Sequence, residues 1–274
     1  MTNPDRHSRK TLWQRIRLIW VTLGITLTLV FAGWSLLAFR ASGGARDALR
    51  TSDRVTVTRT NGLIGFVPMG TPREVGLIFF AGALVDPVAY APLTRAVAQA
   101  GFPAYLVPLP QRGAFGGADD PGLYARADSI LGSGGGRAWV IGGHSRGGVV
   151  ASTIAARRPS AIAGLILVGT SHPRDVDLSA LAVPVTKIVG TRDGLASPEE
   201  VRGNAHLLPP TTEWTWVEGG NHSQFGWYGF QPGDRPARME REEQHRLMID
   251  AVVAALERVP AGRIPVASRG TSDR

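Results

Sequence analysis

The sequence predicts a doubly wound α/β fold with a mostly parallel sheet flanked by helices, behind one transmembrane helix. Three observations predict it. Short apolar runs without internal polarity, "VGLIFF" (75–80) and "AWVIGG" (138–143), suit strands buried on both faces. Stretches of helical period alternate with such runs to the end of the chain. A single uncharged run, Leu18 to Phe39, precedes everything else.

That first run, "LIWVTLGITLTLVFAGWSLLAF", is long enough at about 1.5 Å per residue to cross a hydrocarbon core of about 30 Å. Trp20 and Trp34 stand near its ends, where amphipathic rings favour the interface. Residues 1–17 carry Arg6, Arg9, Lys10, Arg15 and Arg17 against Asp5. The excess of positive charge before the span puts the N-terminus in the cytoplasm and the rest of the chain on the extracytoplasmic side. The alternatives are a buried core helix and a cleaved signal peptide, for which the apolar core is long and "AFRASGGA" a poor cleavage site. Residues 40–53 read as a polar linker, 54–260 as the α/β domain and 261–274 as a flexible basic tail.

Within the domain, "VTVTRT" and "GLIGFVP" flank Asn61-Gly62 and read as a hairpin. After the 75–80 strand, "DPVAYAPLTRAVAQAG" reads as a helix with Asp86 as cap and Gly101 as stop. "FPAYLVPLP" is a strand with prolines near its ends, "QRGAFGGADDPG" a loop, "LYARADSIL" a short helix and "GSGGGR" a loop. The 138–143 strand leads into the helix "RGGVVASTIAARRP". "AGLILVGT" and "VTKIVGT" are strands, and "SPEEVRGNAHLL" carries a helix capped by Ser197. "TEWTWVEGG" is the last strand. The closing helix places Leu247, Met248, Val252, Ala255, Leu256 and Val259 on one face, with His245, like His206, on a solvent side.

The net charge of +8 resides mostly in the two tails, and no basic stretch is interleaved with aromatics, so nucleic-acid binding is not expected. The absence of cysteine excludes disulfides, thiolate metal sites and a cysteine nucleophile. No metal or cofactor is expected.

Gly143-His144-Ser145-Arg146-Gly147 is a Gly-x-Ser-x-Gly pattern. With 34 glycines and fifteen serines in the chain, the bare pattern arises by chance roughly one time in four. Its position between a buried strand and a helix makes it a nucleophile corner, which lifts Ser145 above the sheet edge. A serine hydroxyl needs a histidine base and an orienting carboxylate. Asp193 follows the 185–191 strand directly, with Asp175 and Asp177 as rivals. His222 follows the last strand in "VEGGNHSQFGWYG", with His172 as rival; His144 packs or bonds beneath the corner. The backbone N–H groups of Arg146 and Ala83 are the expected oxyanion donors. Phe115, Phe225, Trp227, Tyr228 and Phe230 either line an apolar acyl site or form a packed loop.

With "FFAGALVDPVAYAPLTRAVAQAGFPAYLVPLP", "GGHSRGG", "VGTRDGLASP" and "EGGNHSQFGWYGFQPGD" in view, residues 55–258 resemble an α/β-hydrolase. More narrowly they resemble the small, lidless dienelactone-hydrolase-like proteins of bacteria, often found behind one N-terminal membrane segment. The resemblance implies a Ser145–Asp193–His222 triad, the Ala83 and Arg146 amides as oxyanion hole, and no cap domain. Arg146 departs from the apolar residue more usual there. Dienelactone hydrolases proper use a cysteine, so dienelactone itself is not implied. The expected activity is hydrolysis of a small or lipid-like carboxylic ester. Acyl transfer with the same triad and a catalytically idle, membrane-tethered binding module are the alternatives.

Overall fold

The computed structural model describes residues 5–60, 62–133 and 137–260. Asn61, the centre of the Gly-rich loop and the tail from 261 lie outside these residues. The chain divides into two units at Ala38/Phe39. The first is one helix, α1 (Asp5–Ala38). Its Leu12–Ala38 stretch, with mean hydropathy 1.9, is long and apolar enough to cross a membrane.

The second unit takes in residues 40–53, the stretch that reads as a polar linker in the sequence. They carry a one-turn helix, α2 (Gly43–Asp47), and Ala41, Ala45 and Ala48 are buried in the domain core with Phe39. Alanines spaced three and four apart make a narrow packing face that the surrounding polar residues mask.

Strands β1 (Val55–Thr60) and β2 (Leu63–Pro68) pair antiparallel across the predicted hairpin, where Gly62 takes φ 75°. Then come β3 (Val75–Phe80), a 3-10 turn at Pro87–Tyr90, α3 (Ala91–Gln99), β4 (Ala104–Val107), α4 (Pro121–Ser133), β5 (Ala138–His144) and α5 (Arg146–Arg157). The chain ends with β6 (Gly164–Val168), β7 (Val185–Gly190), α6 (Pro198–Gly203), β8 (Glu213–Val217) and α7 (Arg241–Glu257). The sheet order is β1-β2-β4-β3-β5-β6-β7-β8, parallel from β4 onward.

Alternation along each central strand feeds two cores. Leu77, Phe79 and Val140 face α3 and α7, where Leu93, Val97, Met248 and Val252 are buried. Ile78, Phe80 and Ile141 face α4 and α5, where Leu123, Ala127, Val150 and Ile154 are buried. The α6 start is a full capping box: Ser197 Oγ accepts from the Glu200 amide and the Glu200 carboxylate from the Ser197 amide. On α7 His245 is buried beside Trp227, with ring centroids 5.7 Å apart, not solvent-facing as its polarity suggested. Burial brings its pKa down to about 4, so the ring packs as a neutral aromatic.

The strand order reverses between β3 and β5: the chain leaves β3 toward β4 on one side and leaves β5 toward β6 on the other. At such a switch point the loops separate and leave a crevice at the carboxyl ends of the strands. The β6–β7 connection, residues 169–184, contains no helix and adds no cap.

Candidate active site

Ser145 stands at that reversal, between β5 and α5, with φ 54° and ψ −119°. A non-glycine residue rarely holds this conformation. The neighbours show how the corner is closed. A Cβ at Gly143 would lie 2.3 Å from the Gly147 carbonyl carbon, and one at Gly147 would lie 2.2 Å from the Phe80 carbonyl oxygen. Only glycine fits either place.

Asp193 follows β7 and is wholly buried. Its Oδ1 accepts from the Leu195 and Ala196 amides at 2.8 and 2.7 Å, and its Oδ2 lies 2.9 Å from His222 Nδ1. The rivals Asp175 and Asp177 are exposed. His222 Nε2 is buried and has no hydrogen-bond partner among the described residues. His222 and Ser145 line one cleft of about 190 Å³. The structure therefore brings Asp193 and His222 into contact and places Ser145 in the same cleft, without a Ser145–His222 hydrogen bond. His172 also lines this cleft, without a carboxylate on its ring.

The amides expected to hold an oxyanion are available. Gly82 N–H donates to the Tyr90 hydroxyl at 3.2 Å and Leu84 N–H to the Arg112 carbonyl at 2.6 Å. The Ala83 amide between them has no partner among the described residues, nor has the Arg146 amide at the start of α5.

Two residues that sequence reasoning left without a role organise this centre. The Tyr90 hydroxyl lies 2.7 Å from His144 Nδ1 in a fully buried setting. Burial raises the tyrosine pKa and lowers that of His144, so both are neutral and the hydroxyl donates to Nδ1. Tyr90 thus ties the Gly82-Ala83 turn to His144, whose ring lies 4.4 Å, centroid to centroid, from that of His222. The second is Asp234. Its carboxylate accepts from the amides of Gly194, His222, Ser223 and Arg235 and from the Ser223 hydroxyl. It pins the Asp193 loop to the His222 loop. A turn aspartate in "PGD" was the only sequence signal for it.

The aromatic residues divide. Phe225 and Tyr228 are buried in the core, and Tyr228 stacks on Phe39 with centroids 6.4 Å apart. Phe115 and Phe230 are exposed. None of the group, Trp227 included, lines the Ser145 cleft, so the packed-loop alternative holds for Phe225 and Tyr228.

This fold, with a serine corner and a buried acid–histidine pair at the strand ends, defines the α/β-hydrolase class. Residues 76–246 match the model of the alpha/beta hydrolase family, and the chain belongs to that family. No curated protein matches the chain. Solved structures do. An alpha-beta serine hydrolase homologue from Coxiella burnetii aligns at TM-score 0.52 and 15% identity, over 76% of this chain and 99% of that one. A monoacylglycerol lipase from Paleococcus ferrophilus aligns at TM-score 0.51 and 16% identity, over 73% of this chain and 99% of that one. A dienelactone-hydrolase-like promiscuous phosphotriesterase from metagenomic libraries aligns at TM-score 0.51 and 16% identity, over 74% and 99%. At these identities the likeness is one of fold.

Proposed function

We propose that the chain is a serine hydrolase of carboxylic esters. One observation carries the reading: a buried Asp193–His222 pair whose free Nε2 belongs to the same cleft as a serine held at a left-handed corner. Ser145 Oγ attacks the acyl carbon while His222 Nε2 takes its proton. Asp193 holds the proton on Nδ1, keeps Nε2 basic and stabilises the imidazolium. The Ala83 and Arg146 amides receive the tetrahedral oxyanion. His222 returns the proton to the leaving alcohol, then activates water to release the acid and restore Ser145. In the free protein, catalytic hydrogen bonds are often open, and substrate closes the Ser145–His222 gap.

The Leu12–Ala38 helix is read as a membrane anchor with its basic N-terminus in the cytoplasm. A compartment-sensitive reporter fused after the C-terminus is expected to be active outside the cytoplasm. The intact mass of the purified protein is expected to include the helix.

The test of the chemistry is fluorophosphonate labelling of the full chain in non-ionic detergent. The wild type is expected to label at Ser145, and Ser145→Ala and His222→Ala to lose labelling. A folded wild type that does not label, or labelling that survives Ser145→Ala, overturns the reading. Acyl transfer would show as ester product when an alcohol acceptor is added.

A further inference from the structure

The cleft beside Ser145 is small, about 190 Å³, and its wall is cationic. Arg146 and Arg174 both line it, with the hydroxyl residues Thr170 and Ser171, and no carboxylate is among its lining residues. Arg174 is oriented by its own wall: Nε donates to Ser171 Oγ at 2.9 Å and Nη2 reaches Glu200 at 3.3 Å. Arg146 Nη2 reaches Asp119 at 3.2 Å. These carboxylates hold the two side chains from outside the cleft. Both guanidinium groups are half-exposed, and Nη1 of each makes no hydrogen bond among the described residues. Two further donors therefore remain for an oxyanion.

A second feature points the same way. Lys187 on β7 is 1% exposed, behind the 170–174 wall. Its ammonium donates to the His172 carbonyl and meets no carboxylate among the described residues. Burial, then the nearby Arg174 charge, lowers its pKa to about 7. His172, in the wall itself, is depressed to about 4, by burial first and then chiefly by Arg174. Arg146, Arg174 and Lys187 thus gather three basic side chains on or behind one wall, with Asp119 and Glu200 pairing the two arginines from outside it.

We propose that the substrate is a short ester bearing an anionic group, carboxylate or phosphate, a few bonds from the scissile carbonyl, and that Arg174 and Arg146 hold that group. This deepens the serine-hydrolase reading and rests on it. The cleft accommodates a chain of a few carbons beside Ser145, and one Nη1 contact from each guanidinium suits either oxyanion. The hydrolysis itself is unchanged: ester and water give acid and alcohol.

The test uses the full chain in non-ionic detergent. Ethyl butyrate is compared with monoethyl succinate, anionic on the acyl side, and O-butyrylglycolate, anionic on the alcohol side. For one anionic ester, kcat/KM is expected to exceed that of ethyl butyrate by about tenfold at low salt, the scale of one charge-assisted hydrogen bond in a half-exposed setting. The excess is expected to shrink as sodium chloride is raised. Arg174→Glu is expected to abolish or reverse the ratio, and Arg174→Gln and Arg146→Gln to reduce it. A ratio within a single chain is independent of how much protein folds. Equal rates for all three esters, unmoved by Arg174→Glu, overturn the proposal, while fluorophosphonate labelling of Ser145 would leave the hydrolase reading standing. Should no ester turn over, calorimetric titration decides. Saturable binding of succinate or inorganic phosphate that Arg174→Glu removes keeps the anion site and identifies which oxyanion it prefers. Absence of binding to the wild type overturns it.

Discussion

Two loop regions of the domain are built to different standards. On one side the Asp193 and His222 loops are cross-tied by the Asp234 carboxylate, and Gln244 holds the backbone of Asn221 through both its amide atoms. On the other side of the comparison the 110–117 loop turns through Gln111, Arg112 and Phe115 at positive φ, and the Phe115 side chain is 97% exposed. In the proposed reaction the first side carries the groups that pass a proton, for which a misplacement of about 1 Å is costly. There, polar side chains tie one loop to another.

The sharpest way to break the tight side is Asp193→Asn. It keeps the shape but presents the wrong group to Nδ1, and kcat for an ester is expected to fall by a factor on the order of 10³–10⁴ with the fold intact by circular dichroism. Asp234→Ala removes the acceptor for four amides and a hydroxyl. We expect a loss of about 2–4 kcal/mol in unfolding free energy, read by denaturant titration, with a lower kcat as the loops drift. Tyr90→Phe leaves Gly82 N–H and His144 Nδ1 unpaired and is expected to cost about 1–3 kcal/mol. Its kcat should fall more than its KM rises, because the Ala83 amide is used most in the transition state. On the loose side, Phe115→Ala is expected to stay within about 0.5 kcal/mol of the wild type. A Phe115→Ala loss equal to that of Asp234→Ala would erase the contrast.

Titration adds a readout from three histidine rings, His144 and His245 buried and His172 half-buried. His144, His172 and His245 have pKa values in the folded protein below the ordinary 6.5, with burial the largest cause in each. Between the folded and unfolded values the unfolded chain binds more protons, so stability rises with pH across that window. Acidification from pH 6.5 toward 4 is therefore expected to lower the denaturant midpoint progressively. His245→Phe should flatten part of that slope, since Phe keeps the packing against Trp227 and removes the proton uptake.

Much of the fold was legible because its central strands are buried on both faces and therefore read as unbroken apolar runs, as Val75–Phe80 does. Chain order and strand ends then supplied the candidates Ser145, Asp193 and His222, and the structure sets the latter two in contact. What stayed hidden has physical reasons. Polarity put His245 on a solvent face, but a neutral imidazole packs as an aromatic ring. Ala41, Ala45 and Ala48 are too small to stand out from a polar stretch, yet they fit where larger side chains would not. Tyr90 and Asp234 act on partners 54 and 40 residues away in sequence, a distance that no local pattern spans.

The bare β6–β7 connection has a consequence in time. An enzyme with a cap must open and close it, and that motion often sets the pace of turnover. Among the described residues the 169–184 connection sets no such door over the cleft. In the proposed enzyme, selectivity would then have no closing step in which to be exercised, and would be written into standing surfaces instead.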